Sequence, residues 1–413
     1  MKKIICFVLA IIFTLSVAGC STPSVDEKSL TAGIKPSEVE RKNFDGDFTK
    51  VYADFAVESF KNFYDKENNS MICPVSVMLT LSMAANGAEG ETLEEMKNVL
   101  TDGMEIDALN ENLYVMSKYL TEGDNSMDIA NSVWIRDEEN QIQVKEEFLQ
   151  TAVDYYKAQV FKEPFNQQTV TDINNWVKEK TGGMIKEIID SIENDVIMYL
   201  INAVTFDAEW EKIYFNTDIV DKTFYNSDGS QTEREFMRSD EWKHVRYKGS
   251  EGFIKDYKDE KFSFVALLPP ANMKIDEFIQ SMDGASLTDA LENYQEKSFT
   301  AYMPKFSCEY EIELKEPLIN MGMERAFDSG NAQFEKMCVS TSGNVYIGRV
   351  LHKTFICVDE KGTKAGAATA VEIKNEMAAE MTGEIVLDRP FVYLIIDNET
   401  GIPLFMGQIL NLN

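Results

Sequence analysis

The feature of this sequence that most restricts its fold is the segment from residue 360 to residue 374, EKGTKAGAATAVEIK. One alternate set of its residues is small or apolar: Thr363, Ala365, Ala367, Thr369, Val371 and Ile373. The other set is polar or very small: Lys364, Gly366, Ala368, Ala370, Glu372 and Lys374. This alternation is typical of a strand with one buried face, yet glycine and alanine favour strands weakly. The segment therefore predicts either a strand that joins a sheet conditionally or a flexible linker.

The net charge argues against two classes of partner. The 413 residues include 40 basic and 70 acidic side chains, for a formal net charge of −30. Such a field repels the phosphates of nucleic acids and anionic membrane surfaces, so neither is expected to bind the folded chain. A hydrophobic content of 44% excludes a disordered polyanion.

The N-terminus has the features of a targeting segment. A short basic region and an apolar run over residues 4–17 precede the sequence VAGC, which ends at Cys20. This motif resembles a bacterial lipobox, in which Cys20 would be diacylated; the alternative is an ordinary signal peptide with an incidental cysteine. We therefore predict a lipoprotein signal peptide over residues 1–19 and a tether over residues 20–43, which lack periodicity. The protein is expected on the bacterial surface, lipid-anchored, or outside the cell, with membrane contact only through the lipid.

No pattern of residues predicts an enzyme, a cofactor or a metal site. The only histidines are His244 and His352, and the Walker, GxSxG, HExxH and GxGxxG motifs are absent. The cysteines of the mature domain show no metal-ligand spacing and are expected as buried free thiols, with a disulfide left open: Cys73, Cys308, Cys338 and Cys357. The sequence NSDG at 226–229 predicts a hairpin turn rather than a calcium loop.

Helical patterns precede strand patterns along the chain. Helices are predicted over residues 52–63, 75–85, 91–100, 106–120, 145–156 and 170–180. Strands are predicted over residues 198–206, 262–268, 298–306, 354–358 and 391–396. This order favours the α+β class, and no Pro/Gly-rich break divides residues 44–413.

Four segments together resemble the serpins. They are MYLINAVTFDAEW at 198–210, VLHKTFICVDE at 350–360, EKGTKAGAATA at 360–370 and PFVYLIIDNETGIPLFMG at 390–407. The resemblance implies a single serpin domain over residues 44–413, with three β-sheets and about nine helices. It also implies an exposed reactive-centre loop at about residues 360–385 and a metastable native state.

The resemblance further implies a serine protease inhibitor that acts as a suicide pseudosubstrate. The target protease would cleave the loop, and the freed segment would insert into the central sheet and trap a covalent acyl-enzyme complex. The inserting segment, called the hinge below, comprises Glu360, Gly362, Thr363, Ala365, Ala367, Ala368 and Thr369. The inhibitor is expected to be a monomer.

Two buried polar groups follow from the same resemblance. The shutter, which gates the opening of the sheet, would consist of Ser76, Asn202 and His352, with a hydrogen bond between Asn202 and His352. The breach, where insertion begins, would consist of Trp210, Lys305 and Glu360, with an ion pair between the last two. Cys73 stands where serpins often have serine, so one hydroxyl contact is expected to be missing.

Counting from Glu360 as in serpins places the scissile bond at Glu376–Met377, with Met377–Ala378 and Ala378–Ala379 as alternatives. Glutamate before the bond suits a Glu-preferring protease, whereas methionine or alanine suits an elastase-like one. Lys364 and Gly366 depart from the usual serpin hinge but belong to the set expected to face outward.

Two other functions are compatible with parts of the sequence. The first is a non-inhibitory interaction protein with the serpin fold, which bulky or charged inward hinge residues would favour. The second is a solute-binding lipoprotein, which the lipobox permits but which needs a two-lobed α/β pattern.

Overall fold

The computed structural model describes residues 25–39, 46–122, 126–137, 139–341, 343–363 and 383–412. These residues form nine α-helices, α1 (Gly46–Phe63), α2 (Pro74–Ala85), α3 (Gly90–Thr101), α4 (Ile106–Thr121), α5 (Glu146–Tyr156), α6 (Gln167–Lys180), α7 (Ile275–Ser281), α8 (Gly284–Glu292) and α9 (Lys315–Asn320). The strands are β1 (Ser70–Ile72), β2 (Ser126–Arg136), β3 (Ile142–Val144), β4 (Gln159–Glu163), β5 (Met198–Glu209), β6 (Ile219–Tyr225), β7 (Gln231–Tyr247), β8 (Ser250–Asp256), β9 (Phe262–Leu268), β10 (Gln295–Pro304), β11 (Phe306–Glu313), β12 (Cys338–Ser340), β13 (Arg349–Val358), β14 (Gly362–Thr363), β15 (Glu384–Val386), β16 (Phe391–Asp397) and β17 (Pro403–Ile409).

The strands of the described ranges form three sheets. A nine-stranded sheet has the order β1-β17-β16-β9-β8-β7-β10-β15, with β6 paired to β7. A six-stranded sheet has the order β11-β13-β14-β5-β2-β4, and β3 pairs with β12. The expected α+β architecture with three sheets and nine helices is confirmed.

Strand β5, in the middle of the six-stranded sheet, is buried on both faces. On one face, Trp134 of β2 stacks on Phe161 of β4 at 3.9 Å, in a cluster that includes Trp176 of α6. The other face packs against α2, in which all twelve residues are buried. Two buried faces explain why β5 reads as a continuous apolar run rather than an alternating one.

The predicted helices agree with α2 to α6 within three residues, whereas α1 begins six residues before its predicted start. The strand predicted over residues 298–306 is wrong as a single element, because β10 ends at Pro304 and β11 begins at Phe306 in a different sheet. Lys305, between them, donates its backbone N–H to Glu235 O at 3.1 Å. The hairpin turn at 226–229 is confirmed between β6 and β7, with Gly229 at φ +86°.

Within the segment predicted to be a tether, residues 25–39 lie against the body of the domain. The Leu30 N–H donates to Val160 O of β4 at 2.7 Å, and the Ser37 N–H donates to Asp154 of α5 at 2.6 Å. Lys28 forms an ion pair with Asp172 of α6 at 2.5 Å. These partners cover the open edge of β4, which would otherwise expose unpaired backbone groups. No helix among the described residues has the length and apolar character needed to cross a bilayer.

Candidate functional site: an opening in the six-stranded sheet

The central strands β5 and β13 separate towards one end of the sheet. They pair in parallel over residues 199–203 and 349–353. Beyond this, residues 204–207 and 354–357 form no described ladder with each other, although their outer edges stay paired with β2 and β11. At the end where β5 and β13 are separated, β14 lies between them and pairs with both strands. The sheet thus contains a gap four residues long with a short strand at its entrance.

The turn that leads into β14 is fixed to the end of β5. The Asp359 carboxylate accepts the Lys361 N–H at 2.8 Å, which forms a tight local turn. Trp210 donates its backbone N–H to Lys361 O and its indole N–H to Asp359 O, both at 2.8 Å. Trp210 is 1% exposed and stacks on Tyr257 with ring centroids 4.5 Å apart. The breach tryptophan therefore anchors the start of the hinge.

The two residues of β14 fit closely between the separated strands. A Cβ atom on Gly362 would lie 2.1 Å from the backbone oxygen of Ala208, so no larger residue fits without movement of the strand. Thr363 is completely buried, and its Oγ1 lies 2.5 Å from the Tyr257 hydroxyl. The structure thus places Thr363 on the buried side, as the alternation of its segment predicts.

Lys305 and Glu360 lie together at the breach. The Lys305 ammonium is 3.0 Å from Glu360 and 3.0 Å from Glu235. Burial by itself would lower the pKa of Lys305, but the bonds to these two carboxylates outweigh burial and raise it. The hydrogen bond from Lys305 lowers the pKa of Glu360. Because both side chains are partly exposed, the pair contributes at most about 1 kcal/mol.

The shutter residues lie at the closed end of the gap, where Asn202 and His352 are register partners. Ser76 of α2 donates to Asn202 Oδ1, and Asn202 Nδ2 donates to Asn131 Oδ1 of β2 at 2.7 Å. Thr80 Oγ1 also donates to Asn131 Oδ1, at 2.9 Å. A continuous polar chain therefore joins α2, β5 and β2 beneath the sheet.

The expected hydrogen bond between Asn202 and His352 is not formed among the described residues, and that prediction is wrong. Both amide atoms of Asn202 are used by Ser76 and Asn131. His352 Nε2 instead accepts the backbone N–H of Cys73 at 3.1 Å, and its Nδ1 has no partner. This orphaned nitrogen agrees with the loss of a hydroxyl contact expected from the cysteine. Burial lowers the pKa of His352 to about 3, so the ring is neutral at physiological pH.

Three members of the site were not predicted from the sequence: Thr80, Asn131 and Tyr257. Asn131 could have been found, because it is an asparagine within an otherwise mostly apolar run in β2. Tyr257 follows β8 and carries no local signal of contact with residue 363, which is more than a hundred positions away.

Several predicted residues lie outside the described ranges. They are the hinge residues Ala365, Ala367, Ala368 and Thr369, the reactive-bond candidates Glu376, Met377, Ala378 and Ala379, and the lipidation candidate Cys20. Their assignments remain predictions.

The cysteines of the domain are free, as predicted. Cys73, Cys308 and Cys338 are buried, and Cys357 is half-buried. Burial raises the pKa of Cys308 to about 12 and that of Cys338 to about 11, which leaves both as unreactive thiols. Within the described ranges, no group of three His, Cys, Asp or Glu residues could hold a metal ion.

Comparison with known proteins identifies the family. The model of the family Serpin (serine protease inhibitor) matches residues 50–412. An uncharacterized serpin-like protein of Thermococcus kodakarensis is 29% identical over 365 residues, which cover 86% of this chain and 84% of the relative. The crystal structure of the thermophilic serpin Tengpin in the native state has a TM-score of 0.89 and 43% identity, covering 93% of this chain and 99% of that chain. Human thyroxine-binding globulin shares the fold, with a TM-score of 0.79 at 22% identity and coverage of 88% and 98%. This chain belongs to the serpin family, whose members are typically protease inhibitors rather than enzymes.

Proposed function

We propose that this serpin inhibits serine proteases as a suicide pseudosubstrate, through insertion of its cleaved loop between β5 and β13. The observation that carries the proposal is the four-residue gap between these strands, with Gly362 and Thr363 already paired at its entrance. A strand placed there would find hydrogen-bonding partners on both sides.

The register of β14 predicts how insertion would continue. Thr363 lies opposite Ala208 of β5 and Val358 of β13, and antiparallel partners run in opposite directions along the chain. Residue 365 would therefore meet residues 206 and 356, and residue 367 would meet residues 204 and 354. Residue 369 would meet Asn202 and His352, the register pair of the shutter. Residues 364–367 would thus fill the gap, and the parallel pairing of β5 and β13 would have to separate from residues 203 and 353 onward before residue 369 reaches the shutter.

The hinge side chains suit this passage. The inward set begins with Thr363, Ala365, Ala367 and Thr369, which are small enough to pass between separating strands. Val371 and Ile373 follow and would contribute about 1.5–3 kcal/mol each on burial. Release of stored strain by loop insertion is a known switch of serpins.

The bond-forming and bond-breaking steps of inhibition would be catalysed by the active site of the protease. Its serine would attack the carbonyl of the residue before the reactive bond and expel the new N-terminus. The reactive bond would be Glu376–Met377, with Met377–Ala378 and Ala378–Ala379 as alternatives. Insertion would then carry the acyl-enzyme along the sheet and distort its catalytic groups before water could cleave the ester. The target would be an elastase-like or Glu-preferring serine protease, and no cofactor, metal or nucleic acid takes part. The inhibitor would act as a monomer held on the outer surface of a bacterial membrane by the lipid on Cys20.

Incubation with an elastase-like and a Glu-specific protease tests this function. The expected product is a covalent complex that survives denaturing electrophoresis, and mass spectrometry of the released C-terminal peptide would locate the cut. The same protease with its catalytic serine replaced by alanine is the matched control and should give no complex. Cleavage of the loop by both enzymes without complex would instead favour a non-inhibitory interaction protein.

A further inference from the structure

The turn that precedes β14 is held by two aromatic residues. The carbonyl oxygens of Asp359, Glu360 and Lys361 all accept hydrogen bonds from the segment that follows β5. Trp210 donates its indole N–H to Asp359 O and its backbone N–H to Lys361 O, both at 2.8 Å. The backbone N–H of Tyr214 donates to Glu360 O at 2.9 Å. Three successive carbonyl groups are thus fixed by Trp210 and Tyr214, which are called the clasp below.

A buried ammonium group lies against both residues of the clasp. Lys255 of β8 is 4% exposed and stands in the stretch 252–255, in which every residue is buried. Its Nζ lies 4.6 Å from the centre of the Tyr214 ring and 5.6 Å from the centre of the Trp210 ring. Because the two aromatic residues are also buried, the attraction between the cation and the rings is little weakened by water. Lys255 therefore favours the observed orientation of both rings.

The ammonium group is kept in place by Glu241 of β7, which is also buried. The Glu241 carboxylate lies 3.0 Å from Lys255 Nζ and accepts the Ser239 hydroxyl at 2.7 Å. Burial by itself would lower the pKa of Lys255, but the negative charge of Glu241 and the contact with Tyr214 outweigh burial and raise it. Lys255 is therefore charged at neutral pH. A buried ion pair often stabilises a fold no better than apolar residues of the same shape, so stability alone does not account for this pair.

We propose that Lys255 is a positioning residue for the hinge. Its ammonium group orients Trp210 and Tyr214 so that they hold the turn at residues 359–361 and keep β14 paired in the gap. When the clasp opens, β14 leaves the gap in part of the molecules. Insertion begins from the paired state, so its rate falls with the fraction of molecules in which β14 is paired. This consequence rests on the proposed inhibition by insertion, whereas the action of Lys255 on the clasp does not.

The test measures hydrogen exchange of the Trp210 and Tyr214 amides in uncleaved protein, because both amides donate to the turn only while the clasp is closed. Lys255→Met alone would leave a buried carboxylate unpaired, so the test variant combines Lys255→Met with Glu241→Gln. Its free energy of unfolding in urea should stay close to that of wild type. Exchange of the two amides should become about thirtyfold faster, the factor that corresponds to about 2 kcal/mol of lost cation–π attraction. After reaction with a protease, the ratio of covalent complex to cleaved protein should fall.

Two controls separate positioning from a loss of stability. Lys255→Arg keeps a cation that can stack on aromatic rings and should keep the exchange of the clasp amides slow. The neighbouring ion pair of Lys243 and Asp256, 2.7 Å apart, has a different aromatic neighbour, Tyr294. Lys243→Met combined with Asp256→Asn should therefore leave the exchange of the clasp amides unchanged.

Three results would overturn the proposal. The first is unchanged exchange of the clasp amides in the test variant, and the second is faster exchange spread equally over the core strands β9 and β16. The third is an unchanged ratio of complex to cleaved protein despite faster exchange of the clasp amides, which would show that insertion does not depend on the clasp. Absence of any complex with wild type would refute the proposed function, and the exchange measurement would then test the clasp by itself.

Discussion

Replacing Thr363 by arginine should convert this protein from an inhibitor into a substrate. Thr363 is completely buried in β14 and bonded to the Tyr257 hydroxyl. An arginine there loses this hydrogen bond, worth about 1 kcal/mol, and buries an uncompensated charge, at about 3–5 kcal/mol. Since Thr363 is already in the sheet before cleavage, the variant also loses β14 in the uncleaved state, and its thermal midpoint should fall.

The expected kinetic effect follows from these magnitudes. If about 3 kcal/mol of this destabilisation appears in the barrier to insertion, insertion slows by roughly 150-fold. Deacylation by the protease is unaffected, so hydrolysis overtakes trapping. The assay is the ratio of covalent complex to cleaved product on a denaturing gel. Wild type should give mainly complex, and Thr363→Arg should give mainly cleaved product.

Two controls make the result specific. Thr363→Val keeps the shape and loses only the hydroxyl, whose bond to Tyr257 exists before cleavage, so the free energy of unfolding should fall by about 1 kcal/mol while the complex-to-cleaved ratio stays close to that of wild type. Lys364→Glu, outside the described residues and predicted to face outward, should have little effect. Undiminished complex with Thr363→Arg would refute inhibition by insertion, and equal damage from Lys364→Glu would refute the assigned alternation.

Three further predictions concern His352, Gly362 and Cys20. His352 has a folded-state pKa of about 3 against about 6.5 when unfolded, so the unfolded chain binds an extra proton between these values. The free energy of unfolding should therefore be constant above about pH 7, and this histidine should lower it by about 2 kcal/mol at pH 5. In urea unfolding at pH 7 and pH 5, His352→Gln should remove this difference. A difference between the two pH values that is the same in wild type and His352→Gln would contradict the assignment. Gly362→Ala forces a Cβ to within 2.1 Å of Ala208 O, so it should lower both the thermal midpoint and the complex-to-cleaved ratio; an unaffected protein would show that β14 is not required. Cys20→Ala should move the protein from the membrane fraction to the medium or leave it unprocessed, whereas a variant that is still acylated would disprove the lipobox.

The helices and strands could be predicted from the sequence, whereas the contacts between side chains at the site could be predicted only in part. The periodic helices and the apolar strands could be predicted because their patterns are local. The pairing of Lys305 with Glu360 followed from the resemblance to serpins rather than from any pattern in the two segments. The Asn202–His352 bond was predicted wrongly because adjacent register positions do not determine hydrogen bonds; Ser76, Asn131 and Cys73 take those atoms instead.

The docked position of the N-terminal segment could not be predicted from its sequence. Residues 25–39 have polar, aperiodic composition, which is typical of a tether. Their partners, such as Val160 for Leu30 and Asp172 for Lys28, lie more than a hundred positions later. A docked position that depends on single long-range hydrogen bonds and ion pairs leaves no periodic signal in the segment itself.

The most direct test of loop insertion is the thermal midpoint before and after a non-target protease has nicked the chain between residues 370 and 384. Insertion would extend β14 into a full-length central strand of the six-stranded sheet and bury the apolar side of the hinge, so the midpoint of the nicked protein should rise sharply. The nicked Thr363→Arg variant, in which insertion is slower and buries an uncompensated charge, should show a much smaller rise directly after nicking. An unchanged or lower midpoint in nicked wild type would contradict the metastable native state on which the proposed function depends.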